Sequence, residues 1–137
     1  MARIEQGIYA LLSGATTITA LVSTRISPDR RKKGEALPAL VYRVSFSDPI
    51  KTLAGPHASM TRSDIQITAF ATTRAAVRDI INACAVVLDG YSGETGGVVF
   101  RGIIIDGIDT TFYDPAAGEN DGVYAATLTV RAMHGSI

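Results

Sequence analysis

The chain predicts an α+β fold: a largely antiparallel β-sheet, one long helix at about 73–89 packed on a face, and short N-terminal helices. Three observations carry that prediction. Ile65, Ile67 and Ala69 alternate with Gln66, Thr68 and Phe70, the period of a strand with one face on a core. The period then switches: Val77, Ile80, Ile81, Cys84, Val87 and Leu88 fall three and four apart and share one helix face. The other β-prone runs are bounded by turn residues such as Asp48-Pro49 and the DPAAGENDG stretch at 114–122.

The elements follow in order. Ile4, Ile8, Leu11 and Leu12 mark an amphipathic helix that stops near Gly14. Thr16 or Thr17 caps a short second helix through Leu21 and Val22, and Arg25 to Pro28 is a brief extended segment. Asp29 to Leu37 reads as a charged loop. Pro38 opens a strand with Leu40, Tyr42, Val44 and Phe46 on one face and Val41, Arg43 and Ser45 on the other. Residues 50–60, with Gly55-Pro56, read as a loop or the arms of a hairpin. A strand over 62–70 leads into the long helix. Thr72 and Thr73 are its candidate N-caps, Gly90 is its stop, and Arg74, Arg78, Asp79, Asn82 and Asp89 form its polar face. Tyr91 to Gly97 reads as a glycine-rich turn. Val98 to Ile105 is strongly β-prone, with both faces apolar at 103–105. Asp106-Gly107 suits a hairpin turn, or equally a bulge within a strand that continues to Tyr113. The last strand covers Val123 to Met133, with Tyr124, Ala126, Leu128, Val130 and Ala132 toward the core.

Composition bounds the function. A chain of 137 residues suits one domain, here 1–137, with a real core. Charged residues make up 19%, below the roughly 25% of ordinary soluble domains, which points to partner surfaces or to a surface rich in Thr, Ser and Gly. The net charge of zero hides an asymmetry: residues 1–78 hold 11 Lys and Arg against 5 Asp and Glu, and residues 79–137 hold 2 against 8. If the halves take separate surfaces, head-to-tail contact between copies is favoured; if one domain interleaves them, the polarity cancels. Cys84 is the only cysteine, so internal disulfides and thiolate metal clusters are out, and it reads as a small hydrophobe on the helix's apolar face. No secretory signal or membrane-length apolar run is visible, so a reducing, aqueous compartment is expected.

Catalytic equipment is sparse. His57 sits in a loop beside Pro56 and His134 near the C-terminus, and both read as solvated side chains. Asp106, Asp109, Asp114, Glu119 and Asp121 form one acidic cluster, but DPAAGENDG lacks the alternate oxygen ligands and closing Glu of a calcium loop. YSGETGG precedes a strand rather than opening a helix, which argues against a phosphate cradle. Neither a cofactor nor a metal is expected. Arg30, Arg31, Lys32 and Lys33 are the sharpest local charge; the readings are a solvated loop, a protein contact or a phosphate contact, the last without aromatic residues for base stacking.

The order of these pieces resembles one family, the tail-completion or tail-terminator proteins of long-tailed bacteriophages, prophages and gene transfer agents. The matching segments are the N-terminal helix, TTITALVSTRISPDR, a charged loop, LPALVYRVSFSDP, SDIQITAFATTRAAVRDIINACAVVLDGYSG and FRGIIIDGIDTTFYDPAAGENDGVYAATLTVRAMH. They span about residues 5–134. Each piece is common alone; the specificity lies in order and spacing. The DRRKKGEA loop departs from the family in being more basic.

The resemblance implies a structural virion protein and no enzyme. Such proteins form a homo-oligomeric ring, usually a hexamer, on the last ring of the tail tube. The ring stops tube growth and meets the head connector or stopper protein, while DNA passes through without sequence-specific binding and no membrane is involved. The implied location is the head–tail junction of the virion, and the bacterial cytoplasm during assembly. Arg30, Arg31, Lys32, Lys33, Asp114, Glu119 and Asp121 are the candidate interface residues, in loops suited to contacts with tube and connector. The first alternative is another ring component, a head–tail connector (stopper or neck) protein or a tube subunit; a non-viral binding module and a small hydrolase built on the acidic cluster come after it.

Overall fold

The computed structural model describes residues 4–23, 25–29, 38–49, 61–95, 97–113 and 123–136. Helices α1 (Ile4–Gly14), α2 (Thr16–Val22) and α3 (Arg74–Leu88) pack on a sheet of six strands: β1 (Ile26–Pro28), β2 (Ala39–Pro49), β3 (Thr61–Ala71), β4 (Gly93–Thr95), β5 (Val98–Tyr113) and β6 (Val123–Ser136). The spatial order is β1-β2-β3-β6-β5-β4. β1 pairs with β2 in parallel, and every other pairing is antiparallel. The predicted α+β class with an antiparallel sheet is what forms.

β3 and β6 lie at the middle because their alternation gives the sheet one continuous apolar face. Ile65, Ile67 and Ala69 of β3 and Ala126, Leu128, Val130 and Ala132 of β6 are buried, with Tyr124 partly buried beside them. α3 presses Val77, Ile80, Ile81, Cys84 and Leu88 onto that face, while Arg74, Arg78, Asp79 and Asn82 stay exposed. Its first turn is capped by Thr73, whose side chain accepts from the Ala76 N–H at 3.2 Å. Its end is turned by Gly90 at φ +73°, a conformation that costs glycine little, and the Gly90 N–H donates to the Ile103 carbonyl at 2.8 Å. The helix stop is therefore stitched to β5.

α1 shows that the sheet curls. It touches β1 and β2 at one side and β4 and β5 at the other. Six flat strands would span about 24 Å, far more than the roughly 10 Å width of a helix, so only a curled sheet brings both sides to one helix. The approach is close at Gly7, where a Cβ would stand 2.8 Å from the Phe100 ring. Tyr9 meets Tyr42 on the β2 side, with ring centroids 6.1 Å apart.

Four expectations are corrected or decided. The stretch 91–97 is more than a turn: Gly93–Thr95 forms β4, paired with residues 98–100, and the Tyr91 and Thr95 hydroxyls are hydrogen-bonded. At Asp106-Gly107 the bulge prevails over the hairpin turn. β5 runs on to Tyr113, with its register against β6 shifted between Ile105 and Gly107, because β6 offers a continuous partner on one side. A second shift, between Val44 and Phe46, interrupts the alternation expected through Phe46. His134 is not a solvated side chain at a frayed end. β6 extends to Ser136, and His134 pairs with Thr61 and Phe100, half-buried.

Candidate assembly interface

The sheet order divides the chain at its middle. β1, β2 and β3 come from the positively charged half of the sequence, and β6, β5 and β4 from the negatively charged half. The two halves lie side by side across the sheet instead of interleaving strand by strand. The strands themselves carry little of the polarity seen in composition: β1 to β3 hold Arg43 and Arg62 against Asp48 and Asp64, and β4 to β6 hold Arg101 and Arg131 against Glu94, Asp106 and Asp109.

Pairing also fixes which connections leave from which end. Ala39 pairs with Phe70, Phe70 with Ala125, and Ala125 with Thr111. The segment before β2, the turn into α3 and the connection from β5 to β6 therefore leave one end of the sheet. Pro49 pairs with Thr61 and Thr61 with His134, so the connection from β2 to β3 leaves the opposite end, near β4. Arg30, Arg31, Lys32, Lys33, Asp114, Glu119 and Asp121 lie outside the described residues, as does His57. Their anchors are described. Arg25 Nε donates to the Pro38 carbonyl at 2.6 Å, and the Asp29 N–H donates to the Tyr42 carbonyl at 2.8 Å, so the base of the basic segment is pinned to the β1–β2 side. The acidic segment starts from the pair Tyr113–Val123, on the same end but on the β5–β6 side.

The long strands are only partly covered. β4 pairs with residues 98–100 of β5, and no described strand lies outside the rest of β5. β1 pairs with residues 40–42 of β2, leaving 43–49 without a described outer neighbour. The open part of β5 carries Ile104 and Ile108, 65% and 54% exposed. Asp106 and Asp109 sit on the same stretch, both exposed, and Arg43 is exposed on the open part of β2. Beside Ile108 a shallow groove of about 220 Å³ runs between α3 and the sheet, lined by Arg78, Ile81, Asn82, Ile108, Thr110 and Ala126.

The second face of the sheet is polar and tied across strands. Arg131 Nε reaches Asp64 Oδ1 at 3.3 Å, and the Thr68 and Thr127 hydroxyls meet at 3.1 Å. The Arg131–Asp64 pair is solvent-exposed and contributes little on its own.

Titratable groups with altered environments serve the core. Burial pushes the Cys84 thiol up to about 12, so it stays protonated and behaves as an apolar side chain, as expected. Burial lowers the His134 pKa against an opposing pull from Glu5. Its Nε2 lies 2.7 Å from Ser63 Oγ, and its ring packs 6.5 Å from Phe100, centroid to centroid. Burial first, then Tyr9, Glu5 and Asp29, raises the Tyr42 pKa. Among the described residues no three His, Cys, Asp or Glu side chains come together to hold a metal ion. Asp109 stands opposite Thr127 on a regular ladder, and Asp106 sits at the bulge.

The partly covered edges were missed by reading strands one at a time. The signal was present in the Ile103–Ile105 run, which is apolar on both faces. Ile103 is buried under the helices, and Ile104 points to the other face and is exposed.

A sheet with long edges that no described strand covers suits a protein that assembles. Residues 6–135 match the family described as "Tail completion protein gp17". The chain belongs to this family of structural phage tail proteins. Among solved structures, a chain of the "Virion of native gene transfer agent (GTA) particle" superposes with a TM-score of 0.69 at 14% identity, over 97% of this chain and 95% of that one. At that identity the likeness speaks for the fold. Another solved chain aligns over 94% of this chain and 92% of its own at 16% identity, with a TM-score of 0.45, too loose to bear on function. No curated protein sequence matches the chain.

Proposed function

We propose that this tail structural protein is the tail terminator: a single domain, 1–137, that assembles as a ring on the last ring of the tail tube. In this reading the ring, a hexamer as is usual for such proteins, ends tube elongation and presents a surface to the head connector or stopper protein. It acts at the head–tail junction of the virion, after synthesis in the bacterial cytoplasm, and DNA passes through it unread. The observation that carries the reading is the family match over residues 6–135. The geometry supports it. A ring needs two different patches that bind each other, and the two strand edges, with Arg43 on β2 and Asp106 and Asp109 on β5, offer two.

The basic segment, with Arg30, Arg31, Lys32 and Lys33, departs from Asp29, beside Tyr42 partway along β2. It rejoins the sheet at Pro38, at the end where the acidic segment, with Asp114, Glu119 and Asp121, departs from Tyr113. We assign that end, rather than the end bearing the 50–60 connection, to contacts with neighbouring virion proteins. Replacing Arg30, Arg31, Lys32 and Lys33 with Ser leaves folding intact and lowers incorporation into tails. Unchanged incorporation would remove this segment from the interface.

The alternative is another ring component of the tail. A tube subunit carries a long hairpin arm, and the Pro49–Thr61 pair leaves only residues 50–60 for it, which favours the terminator. Electron microscopy of particles made with the gene deleted tests the reading. Overlong or headless tails, restored by supplying the protein, are expected. Tails of normal length joined to heads would reject the terminator role, and heads without tails would point to the tube or the connector.

A further inference from the structure

We propose that the open edge of β5, at residues 102–107, pairs with the open edge of β2, at residues 43–48, in a second copy of this chain, so that one sheet continues into the next. This deepens the ring reading above and rests on it. The first argument is the edge itself. Nine residues of extended backbone, 102–110, have no outer neighbour among the described residues, and proteins usually blunt such edges with Lys, Pro or a covering element. Between residues 102 and 110 there is no Lys and no Pro, and instead there are two exposed isoleucines. An added strand along 102–107 covers Ile104 on one face, and Ile108 flanks the end of the joint.

The second argument is direction. The pairs β2–β3, β3–β6 and β6–β5 are all antiparallel, so β5 runs opposite to β2. A second copy whose sheet continues the first brings its β2 alongside β5 in antiparallel orientation, which keeps the alternation unbroken. The third argument is level along the strands. Arg43 pairs with Gln66, Gln66 with Thr129, and Thr129 with Gly107. An unstaggered joint therefore sets Arg43 of the second copy beside Gly107, next to Asp106. The short cover strands set the limits of the joint: Ile108 stands level with Tyr42, which β1 covers, and Phe100 stands level with Pro49 and is covered by β4, so 102–107 of one copy face 43–48 of the next.

The fourth argument, charge, decides between this joint and its main rival. Two copies joined by a two-fold axis, β5 against β5, would gather Asp106 and Asp109 from both copies with no described cation on residues 102–110 to offset them. The β2 edge instead supplies Arg43, which has no ion-pair partner among the described residues. Head-to-tail pairing follows, and only head-to-tail pairing propagates into a ring.

Thiol cross-linking tests it in cells that assemble tails. Arg43→Cys and Asp106→Cys are expressed separately and together in a strain lacking the native gene, and tails and the soluble pool are treated with a short bismaleimide. Circular dichroism checks that each variant folds, and buried Cys84 serves as a silent background thiol. The expected result is a cross-linked dimer when both variants are present and none from either alone. A dimer from Asp106→Cys alone would establish the two-fold joint and overturn the proposal. No dimer in tails that contain both variants would overturn the joint and leave the tail reading standing. A mixed dimer in the soluble pool, with the protein absent from tails, would support the joint and sink the tail reading. Absence of both would overturn both.

Discussion

The β3–β6 pair and the outer run of β5 are built from similar apolar residues and serve opposite ends. In the centre, Ile65, Ile67, Leu128 and Val130 are fully buried under α3, and both strands are hydrogen-bonded along both sides for most of their length. On β5, Ile104 and Ile108 are exposed, and their strand has a described neighbour on one side only beyond residue 100. Burial makes the centre the source of stability. The edge adds little to the isolated fold and leaves its hydrogen-bonding groups and apolar surface for another chain. Apolar content in a strand thus says that it will be covered, and not by what.

Substitutions should separate the two regions by what they damage. Ile81→Asp puts a charge in place of a buried side chain of α3 and should cost roughly 3–5 kcal/mol, seen as a lost or strongly lowered melting transition. Unchanged melting would sink the helix orientation. Gly7→Ala drives a methyl into the Phe100 ring at a packed helix–sheet contact and should cost about 1–3 kcal/mol in chemical denaturation. Thr73→Ala removes the cap of α3 and should cost about 1 kcal/mol.

His134 gives the comparison a pH axis. Its folded pKa lies below the ordinary value of 6.5, so the unfolded chain takes up the proton first as pH falls. Stability should therefore rise with pH through the range just below and around 6.5, and fall on acidification through it. His134→Gln should flatten that part of the melting temperature profile relative to wild type; an identical slope would mean that His134 titrates alike in both states. The smallest effect on stability is expected at the edge. Ile104→Thr and Ile108→Thr should each change it by no more than about 0.5 kcal/mol while weakening assembly.

The sequence is informative where one face alone decides. The alternation of β3 and the spacing of α3 follow from burial on one side, and Thr73 and Gly90 follow from local backbone chemistry, so these were legible. The bulge at Asp106 depended on whether β6 reached far enough to hold β5 as one strand, which no local pattern states. β4 is three residues long and exists only because β5 lies beside it. His134 is drawn in by Ser63 and Phe100, which are distant in sequence. The candidate interface residues of 30–33 and 114–121 were legible as charged segments, and the fold adds only their anchors, Asp29 and Pro38 for the first and Tyr113 and Val123 for the second. The open edges were not legible, because an edge is defined by a missing neighbour.

Tail morphology under complementation tests the central claim, that the exposed edge of β5 carries assembly while the buried centre carries stability. A strain lacking the gene is supplied with wild-type protein or with Ile104→Lys, Ile108→Lys double variant protein whose melting matches wild type, and tails are measured by electron microscopy. The account predicts headed tails of normal length with wild type, and overlong or headless tails with the folded edge variant. Normal tails with the edge variant would contradict it.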